Sequence, residues 1–75
     1  MAELVRFIAK SLVDHPDAVD VREVEQPDAI VIELRVAPED MGKVIGKQGR
    51  IAKAIRSVVK AATQKNARPV FVEIV

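Results

Sequence analysis

The stretch AIVIELRV, Ala29 to Val36, sets Ile30, Ile32, Leu34 and Val36 on one side of an extended chain and Val31, Glu33 and Arg35 on the other. An alternation this regular predicts a strand with one buried face. A lone strand buries nothing, so the chain must supply sheet partners and a layer to cover the apolar side. Upstream, AVDVREVEQ sets Val19, Val21 and Val24 among charges, with one slip in the alternation between Val21 and Val24. It reads as an edge strand that takes up the slip in a bulge. Pro27 and Asp28 then provide a tight turn, giving an antiparallel hairpin. At the far end VFVEIV places Val70, Val72 and Ile74 on one face of a third strand.

Helices supply the covering layer. Leu4, Val5, Ile8, Ala9 and Leu12 recur at helical spacing from Ala2 to Val13, with Phe7 and Val13 beside that stripe as further core or as a partner contact. Pro16 ends this helix. PEDMGKVI reads as a short helix, with Pro38 in its first position and Glu39 and Asp40 complementing the positive end of its dipole. A longer helix is expected from Arg50 to about Gln64, with Ile51, Ala54, Ile55, Val58 and Ala62 on its apolar arc and Arg50, Lys53, Arg56 and Lys60 on another. NARP breaks it. The expected order is α-β-β-α-α-β, an α+β fold whose second and third strands are parallel across the helical pair. At 75 residues the chain is read as one domain, 1–75.

The net charge of +1 conceals a division. From Met41 to Val72 there are eight basic residues and no acid, whereas the remainder holds four basic residues and all eleven acids. A solvated helix normally mixes signs, so this separation points to a polyanion-binding face. With no cysteine, disulfides and thiolate metal sites are excluded. Charge interrupts every apolar run, so no membrane span or signal peptide is expected, and the default location is the cytoplasm.

Two of the three glycines, Gly46 and Gly49, bracket Lys47 and Gln48 inside the basic window. Gly46 suits the C-cap of the short helix. Gly49 leaves room for a ligand backbone to approach the first-turn amides of the next helix, with Lys43, Arg50 and Lys53 nearby. Gly42, Gly46 and Gly49 fit neither the Walker nor the dinucleotide fingerprint, and no Ser or Thr is placed for magnesium. His15 stands alone beside Pro16, and Ser11 and Ser57 lie in helices without a base at matching spacing. No catalytic residues, metal ligands or cofactor are therefore expected.

MGKVIGKQGRIAKAIRSVVKAA, Met41 to Ala62, resembles the G-x-x-G core of KH domains, in which the loop clamps four backbone nucleotides. The element order resembles the type II, prokaryotic arrangement, and the length is similar to that of small single-domain bacterial KH proteins, the KhpA-like family. The resemblance implies a three-stranded mixed sheet with helices on one face and a glycine-loop core over about 29–75. It implies that Gly46, Lys47, Gln48 and Gly49 hold single-stranded RNA, with Ile45 and Ile51 lining an aliphatic groove for bases. It also implies an RNA-chaperone or post-transcriptional regulatory role and pairing as a homodimer or with a second KH-containing protein. Many KH domains carry Ile three residues after the second glycine; this chain has Ala52, with Ile51 beside it. Phe7 and Phe71 are the only aromatics, so stacking platforms are absent from the glycine region. A protein-interaction module with the same fold and a single-stranded DNA binder are the alternative readings.

Overall fold

The computed structural model describes residues 1–63 and 68–75. Its elements are α1 (Ala2–Leu12), β1 (Asp20–Gln26), β2 (Ala29–Arg35), α2 (Met41–Ile45), α3 (Arg50–Ala62) and β3 (Val70–Ile74). Short 3₁₀ turns at Pro16–Ala18, Pro38–Asp40 and Lys47–Gly49 punctuate them. The order is the expected α-β-β-α-α-β. α3 ends at Ala62 with Thr63 extended, short of the expected Gln64; Gln64 itself, the NA of NARP and the cation Lys65 lie outside the described residues.

β2 is central, and its Ile32 and Leu34 are fully buried. It pairs antiparallel with β1, from Asp20 opposite Arg35 to Gln26 opposite Ala29, and parallel with β3, from Ile30 opposite Val70 to Leu34 opposite Ile74. The sheet is therefore mixed, in the order β1-β2-β3. The β1–β2 register is unbroken, so the expected bulge is absent. The slip has another cause: Val21 sits opposite Leu34 on the covered face, while Val24 sits opposite Val31 on the open face.

Ile32 and Leu34 are fully buried beneath Val5 and Ala9 of α1, Val44 of α2 and Ile55 and Val59 of α3, with Val21, Val36 and Val72 completing the cluster. Burying a side chain of this size contributes about 1.5–3 kcal/mol. Helices thus cover one sheet face only. Val13 packs against this core, but Phe7 is 71 % exposed and does not widen it.

α3 is rotated from the expected arc. Ala52, Ile55 and Val59 face the core, while Ala54 and Val58 are exposed and Ile51 is half-buried. The apolar stripe of α3 is wider than its core contact. Its excess turns toward α1, where Ile8, Leu12, Ile51, Ala54, Ile55 and Val58, with Arg50, line an open groove of about 360 Å³. No helix among the described residues is long and apolar enough to cross a membrane.

Candidate nucleic-acid interface

The loop Gly46–Gly49 is held by its own backbone. The Gly46 N–H donates to Gly42 O at 2.8 Å, closing α2, and the Gly49 N–H donates to Gly46 O at 3.1 Å. The Arg50 N–H turns back to Lys47 O. Two amides next to α3 are thereby spent on the turn, which shifts the burden of anion attraction onto side chains.

The two glycines are needed for different reasons. Gly46 has φ 77 and ψ 173, a region essentially closed to other residues. A Cβ there would lie 2.5 Å from Ile51 Cγ1 and 2.9 Å from Ile51 Cβ. Gly49 has φ 74 and ψ 15, a left-handed conformation, with no atom within 4 Å of a Cβ built on it. Turn geometry therefore demands both glycines, not Gly46 alone. Gly49 additionally leaves its surface clear. Between them Gln48 is left-handed as well, at φ 59, a conformation that costs a residue with a Cβ about 1–2 kcal/mol.

The cations divide. Among the described residues, Lys47, Arg50, Lys53 and Lys60 form no ion pair. Lys43 is engaged: its ammonium donates to Asp14 Oδ2 at 2.6 Å and lies 3.7 Å from Asp40 Oδ1. The hydrogen bond to Asp14 raises its pKa above the ordinary value, burial opposes that, and the charges of Asp14 and Asp40 add to the rise. Arg56 Nε–H donates to the Val72 carbonyl at 3.2 Å, and Arg68 spans the Gln26 carbonyl and Glu25.

Arg56 fixes the orientation of the helix. Lys53, Arg56 and Lys60 share an arc of α3 that faces β3, whereas Ile51, Ala54 and Val58 share the arc that faces α1. Lys47 lies within the loop, Arg50 opens α3 and also lines the α1 groove, and Lys53 stands one turn on, on the β3-facing arc. Ile51 lies against Gly46 but opens into the α1 groove, away from the Lys53 flank. Ile45 is 37 % exposed at the end of α2.

Sequence reasoning missed the part played by Asp40. It makes no side-chain cap on α2. Its side chain is fully buried and accepts backbone hydrogen bonds from Asp14 at 3.2 Å and His15 at 2.9 Å. Burial pushes its carboxyl pKa up, but those two N–H groups, with the charges of His15 and Lys43, outweigh burial and hold it below the ordinary value. The only signal in the sequence was an acid directly before a helix, which reads equally well as a dipole partner. Among the described residues no group of His, Cys, Asp and Glu could hold a metal ion.

A one-sided α-β-β-α-α-β sheet with a positive-φ G-x-x-G turn between its second and third helices defines a KH-type domain. Residues 2–74 match the KhpA/KhpB KH-domain family, and the chain belongs to it. It is 65% identical over 75 residues, covering the whole of both chains, to RNA-binding protein KhpA of Caldanaerobacter subterraneus subsp. tengcongensis, and equally identical, over the same span, to the protein of that name from Clostridium perfringens. The Aquifex aeolicus protein of that name is 49% identical over 74 residues, which cover 99% of this chain and 94% of the relative. Among solved structures, a crystal structure of Aquifex aeolicus Era bound to GDP and AlF4⁻ superposes with a TM-score of 0.59 at 28% identity. That likeness covers 97% of this chain and 28% of the Era chain.

Proposed function

We infer that this chain binds single-stranded RNA, with the Gly46–Gly49 loop holding the backbone and the β3-facing flank of α3 extending the contact. The observation that carries the reading is the placement of Lys47, Arg50 and Lys53, unpaired among the described residues, around the clear surface at Gly49. Phosphates are held by those cations, and bases meet aliphatic side chains and hydrogen-bonding edges because the loop and α3 carry no aromatic residue. The relatives named RNA-binding protein KhpA support the ligand class. The whole chain, 1–75, acts as one domain with its loop core over about 29–75. Its role is that of a cytoplasmic RNA chaperone or post-transcriptional regulator rather than an enzyme. Replacing both Lys47 and Gln48 by Asp tests the site: RNA binding should be lost in a variant that still folds by circular dichroism. Retention of RNA would remove the loop from the site. Competing RNA against DNA of one sequence separates an RNA binder from a general single-strand binder.

A second reading, pairing with another copy or with a second KH-containing protein, is favoured by the groove between α1 and α3, where Val58 is 44 % exposed at an apolar surface. Val58→Asp should leave the fold intact and abolish any dimer seen by analytical ultracentrifugation.

A further inference from the structure

The chain has one buried charged side chain among its described residues, Asp40, and the RNA-binding reading gives it no task. Its two oxygens are occupied by the amides of Asp14 and His15, at the corner between α1 and β1. The contact joins segments separated by most of the first half of the sequence. It falls directly before α2, and α2 is only five residues long. A helix that short has no stability of its own and takes its direction from what holds its ends. Its C-terminal end is Gly46, whose N–H closes on Gly42 O and beside which Ile51 fills the place a Cβ would take. Its N-terminal end is Asp40. The same carboxylate and Asp14 hold the Lys43 ammonium, one turn along α2.

We propose that Asp40 is a positioning residue for the phosphate-binding loop: by clamping the α1–β1 corner it fixes the direction of α2 and so the placement of Gly46–Gly49. The proposal rests on the reading that this loop holds the RNA backbone. Asp40 touches no RNA and acts through α2.

Electrostatics alone predicts the opposite outcome on substitution, which makes the idea testable. Removing an acid beside a phosphate site, and loosening Lys43 from it, strengthens attraction for a polyanion. Loss of the clamp weakens binding. In Asp40→Asn, the amide retains one acceptor but turns an NH₂ toward the second backbone N–H, so the clamp opens on one side. The affinity of folded Asp40→Asn for a short single-stranded RNA should fall about fivefold or more, the lower end of the usual range for coupling between two sites. Asp14→Asn gives the contrasting result. It keeps both backbone donors to Asp40 but removes the closer of the two carboxylates that hold Lys43, so binding should tighten and the log–log salt slope should steepen by up to about 0.7. Ile32→Val, a core change on β2, controls for stability and should bind RNA as the parent does. Equal or tighter binding by Asp40→Asn overturns the proposal, as does an equal loss in Ile32→Val.

If Asp40→Asn does not fold, the unmodified chain decides. Coupling is reciprocal, so saturating RNA should slow hydrogen exchange at the Asp14 and His15 amides. Unchanged exchange there overturns the clamp. The loop reading fails separately: retention of RNA by the Lys47→Asp, Gln48→Asp variant sinks it, whereas loss in that variant with full binding by Asp40→Asn sinks the clamp alone.

Discussion

Adding one methyl group at Gly46 should cost far more than adding it at Gly49. At Gly46 the backbone occupies a region that L-residues enter only at about 1–3 kcal/mol. The new Cβ would also meet three atoms of Ile51 below 3.0 Å, one of them Ile51 Cβ. A change of rotamer moves Cγ1 and Cδ1 but leaves Cβ in place, so α3 itself must shift. Overpacking of that kind costs about 1–3 kcal/mol. Gly46→Ala therefore loses about 2–6 kcal/mol in all. A chain of this size holds about 4–11 kcal/mol altogether, so the variant sits at the edge of folding. Gly49→Ala meets only the left-handed backbone term, about 1–2 kcal/mol, because nothing lies near its Cβ. Urea unfolding followed by circular dichroism measures both. Adding Ile51→Ala to Gly46→Ala should cost less than the two single losses together, because the Cγ1 and Cδ1 clashes go and only the Cβ contact at 2.9 Å remains. Equal destabilisation by the two alanines, or strict additivity with Ile51→Ala, would refute this reasoning.

Three further outcomes follow from the same geometry. If Lys47, Arg50 and Lys53 each neutralise a phosphate, the log–log salt slope on a single strand is about −2, and Lys53→Ala should flatten it by about 0.7, read from titrations at several salt concentrations. The folded-state pKa of Asp40 lies below its unfolded value, so its stabilising contribution is present in full above the unfolded value and is lost as pH falls through the folded one. Acid unfolding monitored between about pH 5 and pH 2 should therefore show a shallower stability loss in Asp40→Asn than in the parent. Ala52→Ile forces three extra carbons into a site only 6 % exposed and should destabilise by about 1–3 kcal/mol, seen as a lower urea midpoint.

The sheet was readable because Ile30, Ile32 and Leu34 recur on one face of β2, with Val31 the one apolar residue among the charges opposite, and Pro27-Asp28 fixes the hairpin beside it. α3 was half readable. Its apolar residues serve two destinations, the core through Ala52, Ile55 and Val59 and the α1 groove through Ile51, Ala54 and Val58, and periodicity merges them into one stripe. The loop was readable from spacing, but the left-handed Gln48 was not, since glutamine has no special preference for that backbone. The engagement of Lys43 and the burial of Asp40 depend on Asp14 and His15, distant in sequence, so no local pattern reveals them. Lys43, expected beside the phosphate site, is paired with Asp14 and near Asp40.

The parallel pairing of β2 with β3 also sets an order of assembly. The β1–β2 hairpin closes over a two-residue turn, whereas β3 must cross both helices before Val70 can meet Ile30. Closing so long a loop is slow, and its entropic cost comes before any reward. Until it closes, Val72 is missing from beneath α3 and Arg56 has no strand carbonyl to hold. A chain arrested at that stage carries the cations of α3 but not the strand that its Arg56 faces. If the β3-facing flank of α3 extends the RNA contact as proposed, competence for binding and completion of the fold arrive in the same step.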